Sequence, residues 1–349
     1  MPAPAPVVAA EASSTALPPR LEPAAAPGTL QPAPWMKDAQ RVIGAKLGGR
    51  RLVVAAGVGW LRVFTASGEV VAAHEVVGAA YDLEVGDFDG DGELDLVDAR
   101  GFNRDALKAP PSVTIYYGVQ TATPRRETIP LPATTRAQVV DVVPVADQLL
   151  IGSYDSKYMV TVLRAVRGAD GVWTTQTLDR VRVLSGIASV GDELAYARAY
   201  GETVEADGYV MVGAARAPST RGARAITSAA NGVVYADGWH REYGKKARAL
   251  ITFAQPGPDG WTAKVLANVE SRFGYDRIRV GDLDGDGKLD VLAAGNGPAI
   301  TVPLSGERVA QKIDGIDAVD AFPFDLDEDG RDEVLIAGQY PGIWTPLAP

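Results

Sequence analysis

The chain has 349 residues and a formal charge of −10, from 44 acidic against 34 basic side chains. That balance works against the phosphate neutralisation on which nucleic-acid binding depends. The absence of cysteine excludes disulfides, thiolate metal sites and cysteine nucleophiles. The longest apolar run, Leu52 to Leu61, contains two glycines and is too short for a transmembrane helix.

Residues 1–34 are rich in proline and alanine and show no apolar period. Proline removes a backbone donor and disfavours helix in its predecessor, so this segment is expected to be a disordered or extended tether. It lacks the basic and apolar regions of a signal peptide. The reading adopted is export to the periplasm, cell surface or medium, with a signal or anchor absent from this sequence; a cytosolic tail is the alternative. Residues 35–349 are expected to form a single domain.

Three segments of that domain superimpose almost residue for residue: VGDFDGDGELDLV (85–97), VGDLDGDGKLDVL (280–292) and PFDLDEDGRDEVL (323–335). Each has a short apolar entry, an acidic turn and an apolar exit strand. Searching for the exit strand alone adds LVVAAG from Leu52, LLIGS from Leu149, LAYAR from Leu194 and VVYADG from Val233. With Leu94, Leu289 and Val334 the seven starts are 42, 55, 45, 39, 56 and 45 residues apart. Short strands at such a period, without amphipathic helices, predict an all-β propeller of seven blades with four antiparallel strands each. Four of the seven copies are degenerate, so six or eight blades stay open. The last unit has too few residues after Val334 for a full blade. We therefore expect a strand near the N-terminus, around Trp35 to Ile43, to complete it.

In the first acidic turn Asp87, Asp89 and Asp91 stand at alternate positions, followed by Gly92, the carbonyl of Glu93 and Asp95. Short carboxylates at alternate positions of a tight turn converge, and glycine takes the sharp bend. The second turn supplies Asp282, Asp284, Asp286, the Lys288 carbonyl and Asp290. The third supplies Asp325, Asp327, Asp329, the Arg331 carbonyl and Glu333. Oxygen donors without histidine or cysteine suit Ca²⁺. An EF-hand would need glutamate at position twelve, where Asp98, Ala293 and Ile336 stand instead. Three structural calcium sites are thus expected.

These three units resemble FG-GAP or VCBS repeats, as found in the integrin α-chain propeller and bacterial surface proteins. The fullest copy, FGYDRIRVGDLDGDGKLDVLAAGNGP (273–298), has Phe273-Gly274 in front and Gly297-Pro298 near the family's GAP position. Glu333 departs from the pattern, which has aspartate there. The resemblance implies that the calcium turns join the first and second strands of a blade, on one face of the disc.

Segments after the second strand would then emerge on the opposite face. They carry Trp60, Phe102, Tyr154, Tyr158, Tyr200, Trp239, His240, Arg241, Tyr243, Tyr340 and Trp344. Aromatics mixed with charges suit a recognition surface, whereas single rings also pack between blades. The richest segment, 239–246, is locally basic and suits an anionic group. No nucleophile elbow, phosphate loop or cofactor fingerprint occurs. The leading expectation is a non-enzymatic binding or scaffold propeller, on the cell surface or secreted, that engages a protein or glycan. The alternative is a lyase for an acidic polysaccharide, with His240 or Tyr243 as base and Arg241 or Lys245 stabilising charge.

Overall fold

All seven apolar exit runs form strands, and each is the second strand of its own blade. In the computed structural model the residues described are 23–101, 111–132, 138–145, 148–154, 159–182, 184–198, 209–217, 223–237, 247–271, 274–295, 297–306, 310–314 and 317–347. Blades 1 to 7 begin with first strands Arg41–Leu47, Ala79–Gly86, Gln138–Val145, Leu184–Val190, Ala223–Ala229, Arg277–Gly281 and Ala318–Phe324. The second strands are Arg50–Gly57, Asp95–Gly101, Gln148–Tyr154, Glu193–Arg198, Gly232–Asp237, Asp290–Ala294 and Glu333–Gly338. Within each blade the four strands pair antiparallel with their neighbours. First strands of successive blades pack on one another all the way round, blade 7 against blade 1, so they line the axis and the ring is closed.

Ring closure uses an N-terminal strand, though not the segment expected. Gly28–Pro32 pairs antiparallel with Gly342–Pro346 and supplies the outer strand of blade 7. The interval around Trp35 instead makes one 3₁₀ turn, Pro34–Met36, and Arg41–Leu47 opens blade 1. Proline at the start of that turn and buried Met36 fix this corner, so the chain cannot run straight on as a strand. A further two-residue strand, Ala24–Ala25, runs parallel to Gln311–Lys312 on blade 6. Sheet pairing therefore begins ahead of the boundary expected at residue 35.

Among the described residues the buried apolar side chains fall into seven clusters, one at each junction between blades. Ile43, Val54 and Ala56 of blade 1 pack with Leu83 and Leu96 of blade 2. Val53 and Ala55, the alternate residues of the same strand, pack with Leu335 and Ile343 of blade 7. Successive side chains of a strand point to opposite faces, so a blade buried on both faces needs an unbroken apolar run. That is why these strands read as LVVAA rather than as alternating polar and apolar residues.

Five first strands share a register shift at their second or third residue, between Ala80/Asp82, Val139/Asp141, Leu184/Gly186, Ala223/Ala225 and Ala318/Asp320. A bulge of this kind re-aims the side chain that follows it. In three blades that residue is an aspartate whose carboxylate accepts a backbone N–H from the next blade. Asp82 bonds Val142 (2.9 Å), Asp141 bonds Ile187 (2.7 Å) and Asp320 bonds Val42 (3.1 Å).

The closing strand carries a direct test. A Cβ on Gly28 would lie 2.3 Å from the Trp344 ring, so this strand lies flat on the tryptophan. Deleting residues 1–32 is expected to lower the melting temperature by roughly 5–10 °C and to shift tryptophan emission to the red. An unchanged melting curve would show that the strand does not hold the ring closed.

Candidate functional site

The three acidic turns occupy the same place in three blades. Each joins the first and second strands, in blades 2, 6 and 7. In blades 1, 4 and 5 the corresponding turn has only two residues, Gly48 and Gly49, Gly191 and Asp192, or Ala230 and Asn231. The long turns are anchored from below by a buried apolar residue at their second position, Phe88, Leu283 and Leu326. The backbone N–H of that residue donates to the acidic side chain that opens the second strand. Phe88 reaches Asp95 Oδ2 at 2.9 Å, Leu283 reaches Asp290 Oδ2 at 3.2 Å and Leu326 reaches Glu333 Oε2 at 2.8 Å.

Turn closure falls to the first aspartate. Asp87 accepts from the amides of Gly90 (2.8 Å) and Gly92 (3.0 Å), and Asp282 from Gly285 (2.9 Å) and Gly287 (2.8 Å). These glycines have φ between 75° and 86°, the left-handed region that side chains avoid. In the third turn Glu328 takes the first of these positions at φ 68°, and Arg51 of blade 1 holds its carboxylate at 2.8 Å.

One carboxylate oxygen from each of Asp87, Asp89 and Asp95 lies within 4.8 Å of the others, as do those of Asp282, Asp284 and Asp290 and of Asp325, Asp327 and Glu333. Opposite ligands of an ion bound at 2.3–2.6 Å are separated by about this distance. Asp89 Oδ1 and Asp325 Oδ1 are buried and have no hydrogen-bond donor, which marks them as free to meet a cation. Nine of the twelve side chains expected as donors are in these clusters. Glu333 joins its cluster despite its extra methylene.

The third alternate aspartate of each turn does not join its cluster. Asp91, Asp286 and Asp329 instead accept from the amide two residues on, Glu93 (2.8 Å), Lys288 (2.9 Å) and Arg331 (2.9 Å). Asp286 also faces the Lys288 ammonium at 3.2 Å, and Asp329 faces the Arg331 guanidinium. A short carboxylate closes such a local ring readily, and a basic neighbour reinforces it.

Electrostatics report the crowding. Burial, with smaller contributions from the neighbouring aspartates, pushes Asp95 and Asp290 up to about 6, and burial raises Glu333 as well. Two arginines absent from the sequence reading act as internal counter-charges. Arg125 meets Asp89 Oδ2 at 2.5 Å, and Arg51 Nη1 lies 3.5 Å from Asp325 Oδ2. Asp332 was also missed. It stands where the other turns have Leu94 and Leu289, and it ties blade 7 to blade 6 by accepting from Asp282 N (2.8 Å) and donating to Asp282 O (2.9 Å). Only the departure of GRDEV from the repeated pattern signalled it.

Few of the aromatics expected on the opposite face can be placed. Phe102, Tyr158, Tyr200, Trp239, His240, Arg241, Tyr243 and Lys245 lie outside the described residues, as does the side chain of Tyr154. Trp344 is a correction: it is 5% exposed and packs between blades 6 and 7 under Gly28, out of reach of a ligand. Trp60 is half-buried, with Arg62 stacked at 5.0 Å from its ring. Tyr340 is 65% exposed. Val58 and Val77 are exposed on the same face, where Gly59 N bonds Gly78 O at 3.1 Å.

Fold and turns together define a seven-bladed β-propeller with acidic first turns on three blades. No family model and no curated protein sequence matches the chain. Solved structures match over most of its length. A crystal structure of BBS1N in complex with ARL6DN, soaked with mercury, has a TM-score of 0.60 at 12% identity and covers 94% of this chain and 98% of that one. A chain of the Mitotic Checkpoint Complex has 0.55 at 15%, covering 99% of each. The WD40 β-propeller domain of Doa1 has 0.53 at 13%, covering 93% and 96%. At such identities the likeness shows the fold alone.

The raised acids generate a signed expectation. A carboxyl whose folded pKa lies near 6, above its ordinary 3.8, binds more protons folded than unfolded in between. Stability therefore falls as pH rises from about 4 through 6. In excess chelator at pH 7, Asp95→Asn and Asp290→Asn should melt above the wild type. The difference should vanish near pH 4, and added calcium should reverse the order. Differential scanning calorimetry across this range checks all three.

Proposed function

We propose that the chain is a non-catalytic binding scaffold of the FG-GAP/VCBS kind, exported from the cytoplasm, with Ca²⁺ in the acidic turns of blades 2, 6 and 7. The carrying observation is the equivalence of three carboxylate clusters at one position of three blades, each built over the same buried apolar anchor. Asp87, Asp89 and Asp95 would hold one ion, Asp282, Asp284 and Asp290 the second, and Asp325, Asp327 and Glu333 the third. Bound ions would supply the positive charge that these crowded acids lack, and so rigidify the turns. The tie between Asp332 and Asp282 would let two of the sites reinforce each other.

The partner in this reading is a protein, held on the face opposite the acidic turns. Exposed Val58, Val77 and Tyr340 give that face an apolar component in an otherwise acidic molecule. The similar propellers solved as BBS1N with ARL6DN and within the Mitotic Checkpoint Complex support protein recognition by this architecture. A glycan is the competing ligand class, and a glycan array run with and without calcium tests it.

Two outcomes are expected. Excess chelator should lower the melting temperature of the wild type and leave a variant with Asp87, Asp282 and Asp325 all changed to Ala unaffected; equal curves with and without calcium would remove the ion from this account. In pull-downs against envelope proteins, Val77→Glu with Tyr340→Ala should lose the retained partner at an unchanged melting temperature. Retention by that double variant would place recognition elsewhere on the wheel.

A further inference from the structure

The axis holds a charge network that the reading above leaves unused. Arg41, Arg277 and Arg279 share it with Asp82, Glu84, Asp141 and Asp320, and Asp82 lies within electrostatic reach of all three arginines. Arg277 Nη1 lies 3.4 Å from Asp82 Oδ1 and 3.8 Å from Asp141 Oδ1. Arg279 Nη2 lies 3.4 Å from Asp82 Oδ1 and 3.1 Å from Glu84 Oε1. Four acids against three arginines leave one negative charge in excess when every group is ionised. One proton shared between Glu84 and Asp141 would make up the difference. Burial, together with the Asp82 charge, holds Asp141 well above the usual carboxylate range, and burial pushes Glu84 up to about 8.

Against this network lies a cavity of 410 Å³. Its lining comes from the first strands of blades 2 to 7, so it lies on the axis. Glu84, Asp141, Arg279 and Ser228 are its polar lining, and Ile187, Ile226 and Phe322 are apolar residues among them. The volume lies in the range of small-molecule pockets and far exceeds the room a single ion requires.

We propose that this axial cavity binds a primary ammonium group on an aliphatic stem. The ammonium takes the place of the network's extra proton beside Glu84 and Asp141, and the stem lies against the apolar lining residues. Charge selects a monocation, because the excess is one unit and Arg279, 3.1 Å from Glu84, repels a divalent ion. The same excess disfavours an anion. Mixed walls select an alkylammonium over a bare ion, since only the former buries apolar surface as it binds. A free diamine and a lysine side chain of another chain share this chemistry.

The test is isothermal titration calorimetry of the full chain at pH 7.5 with cadaverine, with a capped Gly-Lys-Gly peptide and with butyrate. Calcium is kept in excess, so that the outcome does not depend on whether the acidic turns bind it. Cadaverine is expected to fill one site per chain and to release protons, seen as heats that vary with the ionisation enthalpy of the buffer. Saturation by the peptide as well would name a lysine as the source; cadaverine alone would name a free amine. Glu84→Gln removes the excess charge while Asp82 still faces Arg279, its melting temperature is measured alongside, and it should weaken binding by about tenfold or more. Ser228→Phe fills the cavity while keeping every charge and should abolish it, whereas Asp259→Asn, on an exposed turn of blade 5, should leave it unchanged. No saturable cadaverine binding, binding that survives Glu84→Gln, or butyrate binding in its place would overturn the proposal.

Discussion

Every blade of this protein must bury both of its faces, and the rest of the structure follows from that constraint. A four-stranded sheet with apolar residues on both sides cannot face water, so each blade needs a neighbour on either side, and the last needs the first. The seven junction clusters are the result, from Ile43 against Leu96 round to Val53 against Leu335. A ring of this kind has no partial form that satisfies its ends. The outer strand of blade 7 is accordingly drawn from Gly28–Pro32, which caps a tryptophan that the C-terminal segment alone would leave exposed.

Carboxylates serve this wheel in two opposite ways. At the axis Asp82, Asp141 and Asp320 reach across to the amides of the next blade, and Asp82 and Asp141 also pair with Arg277, so much of their charge is answered within the protein. At the acidic turns the carboxylates crowd one another around a shared point, and Arg125 and Arg51 answer the charge only in part. The first arrangement holds blades together without help. The second stores repulsion that a cation would relieve, which is why the turns and not the axis suit a metal.

Blade count and order were legible because most second strands are buried on both faces, as Arg50–Gly57, Asp95–Gly101, Asp290–Ala294 and Glu333–Gly338 are. Burial on both faces forces a continuous apolar run, and a weaker form of it remains in LAYAR, where only alternate residues are buried. The acidic turns were legible because a tight turn fixes alternate residues on one side whatever surrounds it. Within each turn, however, the third aspartate is engaged differently from the first two. Asp91, Asp286 and Asp329 look equivalent to their neighbours in sequence, yet each closes a ring with its own backbone, and Lys288 and Arg331 strengthen two of these rings. Trp344 looked like a surface aromatic because it follows a turn, and only the strand laid across it reveals its burial.

The sequence by itself determined what is local and periodic: strand type, the seven-fold repeat, and the acidic turns with their glycines. Tertiary structure decided what depends on residues far apart meeting. Asp332 touches Asp282 across 50 positions, Arg51 reaches Asp325 from the other end of the chain, and Arg277 meets Asp82 across the axis. Short-range sterics and burial period leave their mark on neighbouring residues, whereas ring closure brings together side chains whose sequence separation carries no trace of the contact.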